Sequence, residues 1–135
     1  MDQQSLVWDN KFSVGFTKID VEHRILFSLY NQLLDDCQRG QGSSVIGDSL
    51  DRLVAYTETH FSHEEDILEE RGYSQLAAHR KAHAELVNQV KDLRDRFYAS
   101  RDDAVARETM TFVHNWLTKH VLGTDMAYAA ELNFL

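Results

Sequence analysis

Leu76, His79, His83, Leu86, Val90, Leu93 and Phe97 recur at alternating intervals of three and four residues, the period of one apolar stripe on an α-helix packed against other helices. Two histidines occupy places where leucines would be expected. They stand about one helical turn apart, so their imidazoles point the same way. Such a pair has two readings. Each ring is satisfied by hydrogen bonds, as buried polar groups usually are, or the two share a metal ion. Either way the helix, about 74–100, forms one wall of an all-α core.

The same period returns three times. A helix of about 20–38 carries Ile19, His23, Leu26, Tyr30, Leu33 and Cys37 on its inner stripe. A helix of about 45–71 carries Ile46, Leu50, Leu53, Thr57, His60, Glu64 and Ile67, and one of about 104–122 turns Val105, Thr109, Val113, Trp116 and His120 inward. No proline interrupts these segments, and five of the six glycines fall near expected breaks. Gly47, near a helix start, is the exception. At Gly123 the last helix is expected to unwind, letting Asp125 fold back under His120. Ser43 or Ser44 suits the N-cap of the second helix, and an aspartate within 101–103 that of the fourth. Residues 1–18 form an arm whose Trp8, Phe12, Val14 and Phe16 lack helical spacing and are expected to lie buried across the bundle. The weakly helical tail MAYAAELNFL covers one end. At 135 residues, 43% hydrophobic and 27% charged, the chain is expected to be one domain, 1–135. Its architecture is an up-down-up-down antiparallel four-helix bundle with an N-terminal arm.

In an alternating bundle, the starts of the first and third helices and the ends of the second and fourth share one end. His23 is early in the first helix, and His60 and Glu64 are late in the second. His79 and His83 are early in the third, and His120 and Asp125 close the fourth. An ionised Glu64 in an apolar stripe costs several kcal/mol unless it is paired or binds a cation. No lysine or arginine shares its stripe, so the metal reading gains. Five imidazoles and two carboxylates suit a borderline transition metal better than magnesium or calcium. Seven donors are too many for one ion and suit two, with both carboxylates bridging. If three histidines take one ion and two take the other, one ion keeps an open position. A shell without an obvious general base or nucleophile could then take a small diatomic molecule and do little further chemistry on it.

Other polar residues carry less. His63 and His114 fall off their stripes and are expected at the solvated margin. Glu65, Asp66, Glu69 and Glu70 read as a solvated acidic face, with an outer role for Glu65 the weaker alternative. Tyr30 needs a partner for its hydroxyl, and Cys37 reads as a small buried hydrophobe. A net charge of −8 without a local basic cluster argues against nucleic acid. No apolar run is long enough to span a membrane, and MDQQSLVWDN lacks the pattern of a signal peptide. With a single cysteine, a cytoplasmic location is expected.

Val7-Trp8-Asp9 with Val14-Gly15, Ile19-Asp20-x-x-His23, His60-Phe61-x-x-Glu64-Glu65, His79-x-x-x-His83 and Trp116-Leu117-x-x-His120-x-x-x-x-Asp125 form a highly specific set. Over nearly its full length the chain resembles the hemerythrins, specifically the single-domain bacterial kind. The resemblance implies a non-haem centre of two iron ions with an oxo or hydroxo bridge. His79, His83 and His120 would hold the six-coordinate iron and His23 and His60 the five-coordinate one, with Glu64 and Asp125 bridging. It implies reversible oxygen binding at the iron of His23 and His60, for storage, delivery or sensing, and no enzymatic activity. Leu26, Phe27, Phe61, Trp116 and Leu117 are the expected walls of a dry pocket. Nitric oxide is an alternative ligand, and an oxygen-requiring enzyme a candidate recipient. The competing reading is a di-iron peroxidase or oxidase, against which the histidine-rich shell argues, since ferritin-like oxidases use four glutamates and two histidines. A third is a metal-free helical module with buried histidines.

Overall fold

The computed structural model describes residues 5–135, so the first four residues of the expected arm lie outside the described residues. Four long helices follow one another: α1 Thr17–Gln38, α2 Ser43–Glu70, α3 Leu76–Ser100 and α4 Asp103–Lys119. Their loops, 39–42, 71–75 and 101–102, are too short to cross the bundle, so successive helices run antiparallel. Helix α1 packs on α2 and α4, and α3 packs on the same two neighbours. The result is the expected up-down-up-down four-helix bundle.

The stripes read from the sequence form its core. Leu26, Leu33, Leu50, Leu53, Val90, Phe97, Val113 and Leu117 are buried in one cluster. Burying a Leu, Val or Phe contributes about 1.5–3 kcal/mol each, which lets the opposite end of the bundle carry a layer of ionisable side chains. Two details differ from the spacing. Cys37 is only half-buried, because α1 ends one residue later and the bundle opens there. On α2 it is Leu68 that is fully buried while Ile67 packs at the margin, a drift of the stripe expected from 3.6 residues per turn. At Gly47 a Cβ would stand 3.0 Å from the Tyr98 hydroxyl of α3.

The helix ends use both expected and unexpected caps. Asp102 is the N-cap of α4, its side chain accepting the Ala104 N–H at 2.8 Å. The serines expected to cap α2 do not: Gly42 is its N-cap, without a side-chain bond. The described part of the arm packs across the bundle, but Trp8 and Phe16 are only partly buried. Phe12 and Val14 are buried, Trp8 and Phe12 meet Phe27 ring on ring, and Asn31 exchanges two 2.8 Å hydrogen bonds with the Leu6 backbone. Asp20 holds the arm to α1, accepting the Val14 N–H at 2.8 Å and the Ser13 hydroxyl at 2.6 Å.

The C-terminal end departs furthest from expectation. The helix does not unwind at Gly123. It widens into a π-helical turn, His120–Asp125, and continues as α5, Met126–Glu131. Helix α5 lies over the end of the bundle, where Tyr128 and Ala129 join Val14, Ile19, Leu68 and Tyr73 in a second buried cluster. Ser74 clasps it by donating its N–H and hydroxyl to Glu131. The chain then passes so close to Gly15 that a Cβ there would lie 2.1 Å from the Phe134 carbonyl oxygen.

Candidate metal centre

All seven side chains singled out from the sequence meet at the end covered by α5. His23, His60, His79 and His83 are 1–3% exposed, His120 is 8%, and Glu64 and Asp125 are fully buried. Five come from regular helix by their position in the stripes, and His120 opens the π turn. Asp125 comes from the π turn. At about 100° per residue, five steps along an α-helix would leave it about 140° away from His120. The wider turn puts both on one face, and π turns within helices often mark functional sites. Asp125 Oδ1 lies 3.0 Å from His120 Nε2.

The carboxylate oxygens divide the histidines into two groups. Glu64 Oε1 lies 2.6 Å from His79 Nε2 and 3.1 Å from His83 Nε2. Its Oε2 faces His60 Nε2 at 3.2 Å and His23 Nε2 at 3.5 Å. Asp125 divides likewise, Oδ1 towards His120 and, at 3.5 Å, His79, and Oδ2 towards His23 at 3.1 Å. Two compact donor sets result: Glu64, His79, His83, His120 and Asp125, and His23, His60 and Glu64.

This donor set fits a transition-metal centre. Both ring nitrogens of His23 and both Asp125 oxygens are buried without a hydrogen bond, although His23 Nε2 and Asp125 Oδ2 are only 3.1 Å apart. Buried polar atoms are seldom left so. A ring nitrogen and a carboxylate oxygen this close, yet not aligned to bond each other, suit a shared cation between them, and imidazole with carboxylate is a donor mixture that iron takes.

The electrostatics agree. Burial opposes charge on His23, yet the facing Asp125 and Glu64 push its imidazolium up to about 10. His60 is raised against its burial by Glu22 and Glu64, and His120 against its burial by Asp125. Burial pushes the Glu64 carboxyl up, but the surrounding histidines hold it well below the usual range. For Asp125, burial and the neighbouring Glu64 are likewise outweighed by His120 and His23. A metal cation held here would compete with protons for these atoms, and its uptake would release them.

Three residues matter here beyond those seven. Glu22, adjacent to His23 in sequence but buried on a different face of α1, accepts from His60 Nδ1 at 2.8 Å and His63 Nδ1 at 2.7 Å. Those bonds lower its carboxyl despite burial. His63 is thus marginal, as its spacing indicates, but not free. Glu65 accepts from His83 Nδ1 at 2.8 Å, which favours the outer role over a purely solvated one. Tyr128 donates its hydroxyl to Glu64 Oε2 at 3.2 Å. Burial, with Asp125 and Glu64 nearby, keeps that phenol protonated. Only Glu65 carried a sequence signal; the need of an imidazole that holds a metal for an acceptor at its second nitrogen could have directed attention to Glu22. His114 stays at the margin, its ring 5.8 Å from that of Tyr30.

Leu26, Phe27, Phe61, Trp116 and Leu117 are all buried in the main core cluster, and of these Phe61 meets the histidine rings. Phe61 stacks flat on His83 with ring centres 3.7 Å apart and meets Trp116 edge to face.

Comparison with known proteins places this geometry in context. Residues 14–132 match the family described as hemerythrin HHE cation binding domain. The bacteriohemerythrin of Stenotrophomonas maltophilia is 35% identical over 94% of this chain and 81% of that protein. The myohemerythrin of Theromyzon tessulatum is 30% identical over 93% of this chain and 92% of that protein. A crystal structure of wild-type hemerythrin superposes with a TM-score of 0.85 at 33% identity, covering 94% of this chain and 97% of that one.

Proposed function

The chain belongs to the hemerythrin family, whose members bind oxygen at a non-haem iron site and are not enzymes, and from that premise we propose that it binds oxygen reversibly at two iron ions. His79, His83 and His120 would hold one ion and His23 and His60 the other, with Glu64 and Asp125 shared between the two and an oxo or hydroxo group completing the centre. What supports this reading above all is the division of the histidines by single carboxylate oxygens, one oxygen of Glu64 and one of Asp125 facing each group.

Iron, when bound, supplies the electrons by which oxygen is held. The chain's own residues do the rest. The two-histidine position has one imidazole fewer and so leaves room for a ligand. Leu26, Phe27, Phe61, Trp116 and Leu117 keep water from that position, which slows the loss of electrons to solvent. Tyr128 steadies Glu64 from behind. The phenol is held protonated and the carboxylates are tied to histidines, so no free acid or base stands ready to carry bound oxygen onward.

The role is storage, delivery or sensing of oxygen by a single domain, with nitric oxide as an alternative ligand. Delivery would have an oxygen-requiring enzyme as recipient, in the cytoplasm, where a single cysteine is at home. Among the described residues no helix is long and apolar enough to cross a membrane.

Reduced, iron-loaded protein taken through cycles of air and argon tests the reading. A carrier regains its deoxy spectrum at each argon step. A protein that ends oxidised after one exposure behaves as a di-iron oxidase or peroxidase, and the proposal fails.

A further inference from the structure

Two carboxylates stand behind the histidines rather than among them. Glu22 accepts the Nδ1–H of His60 on Oε1 and meets His63 Nδ1 with Oε2. Glu65 accepts the Nδ1–H of His83 on Oε2, and its Oε1 pairs with Arg80 Nε at 3.3 Å. Each histidine group therefore contains one imidazole whose far nitrogen is committed to a carboxylate and whose Nε2 is left for the centre. His60 Nε2 and His83 Nε2 do face it, 3.2 Å and 3.1 Å from the two oxygens of Glu64.

The two supports are unequal. The Glu65 side chain is 22% exposed and shares its charge with a guanidinium, a group that is always cationic. The Glu22 side chain is 9% exposed, and its second partner is an imidazole, which carries no permanent charge. A carboxylate away from water and without a fixed counter-charge acts more strongly on the ring it receives. This stronger support stands behind the group that has only two imidazoles.

We propose that Glu22 is a positioning residue that compensates the ligand-poor metal position. It fixes the tautomer and ring plane of His60 and makes that imidazole the stronger donor, while His63 holds the second Glu22 oxygen so that the first stays aimed. The ion at His23 and His60 is thereby retained and its ferric state favoured; Glu65 does the same for His83 more weakly. The inference rests on the assignment of these histidines as iron ligands.

Stepwise addition of cobalt(II) to metal-free protein, followed by its visible spectrum, tests this in wild type, Glu22→Gln, Glu22→Leu and Glu65→Gln. Wild type should take two ions; failure there sinks the ligand assignment itself and not merely the role of Glu22. Glu22→Gln keeps an acceptor for His60 but loses the charge. It should weaken one of the two ions about tenfold or more and leave the other, and in iron-loaded protein it should raise the midpoint potential. Glu22→Leu, which loses the acceptor too, should bind a single ion, while Glu65→Gln should change affinity less than Glu22→Gln. The proposal is overturned if both Glu22 variants take cobalt as wild type does, if both ions weaken equally, or if Glu65→Gln has the larger effect. A variant that loses thermal stability without metal yet keeps wild-type cobalt affinity and potential overturns it as well, since Glu22 would then be structural only.

Discussion

The hydroxyl of Tyr128 offers a test at the scale of one atom. It is fully buried and donates to the ionised Glu64 at 3.2 Å. Tyr128→Phe removes it while leaving the ring and its packing. Glu64 keeps its histidine neighbours, so no orphaned charge is created and the cost should be the net worth of the bond. Hydrogen bonds to charged groups contribute about 1.5–3 kcal/mol. This one is long beside the 2.5–2.7 Å usual for a hydroxyl on a carboxylate, which favours the lower figure, about 1.5 kcal/mol. With an unfolding entropy near 2.1 cal/mol/K per residue over 135 residues, or about 0.28 kcal/mol/K, the expected fall in Tm is about 5 °C. Calorimetry of metal-free wild type and variant at one pH measures it. A change below about 1 °C, or a rise, would refute the claim that this bond braces the centre.

Two further outcomes follow from the same geometry. His23 has a folded-state value of about 10 against an ordinary 6.5, so its contribution to the metal-free protein is complete below about 6.5 and lost as pH climbs towards 10. His60 and His120 are shifted in the same direction, whereas the lowered Glu64 and Asp125 lose their contribution on acidification. Denaturant unfolding of metal-free protein should therefore show greatest stability at about pH 5–6 and a steady decline to about pH 10, a decline that bound metal removes; a stability that rises over that alkaline range would contradict the electrostatics. Gly15→Ala should cost more than the roughly 1–3 kcal/mol of a strained backbone position, because φ is +79° and the new Cβ meets the Phe134 carbonyl. Hydrogen exchange over 128–135 should accelerate in that variant, and unchanged protection there would show that the contact is not needed.

Much of the site could be read before any coordinates. A histidine at a core position breaks an otherwise apolar period, and His23, His60, His79, His83 and His120 each do so at the same level of an alternating bundle. Glu64 stands out because a lone carboxylate in such a stripe has no bland explanation. Apart from the motif it closes, Asp125 was legible as a neighbour of His120. Its path was not, because the choice between unwinding at Gly123 and widening into a π turn depends on α5 docking over Val14, Ile19 and Tyr73, contacts distant in sequence. Glu22 and Tyr128 escaped for a related reason. Periodicity reports which residues face the core of their own helix, and both matter through what a different helix places opposite them: His60 for Glu22, Glu64 for Tyr128. Caps behave similarly, Asp102 being used as its side chain suggests and Ser43 passed over for Gly42.

On the proposed reading, one chain gathers seven side chains around a pair of ions. Iron per chain, determined on protein loaded under reducing conditions and freed of loosely held metal, measures this directly. Two are expected in wild type and a clear loss in Asp125→Ala, whose carboxylate faces both histidine groups. One iron or none in wild type, or two retained by Asp125→Ala, would contradict it.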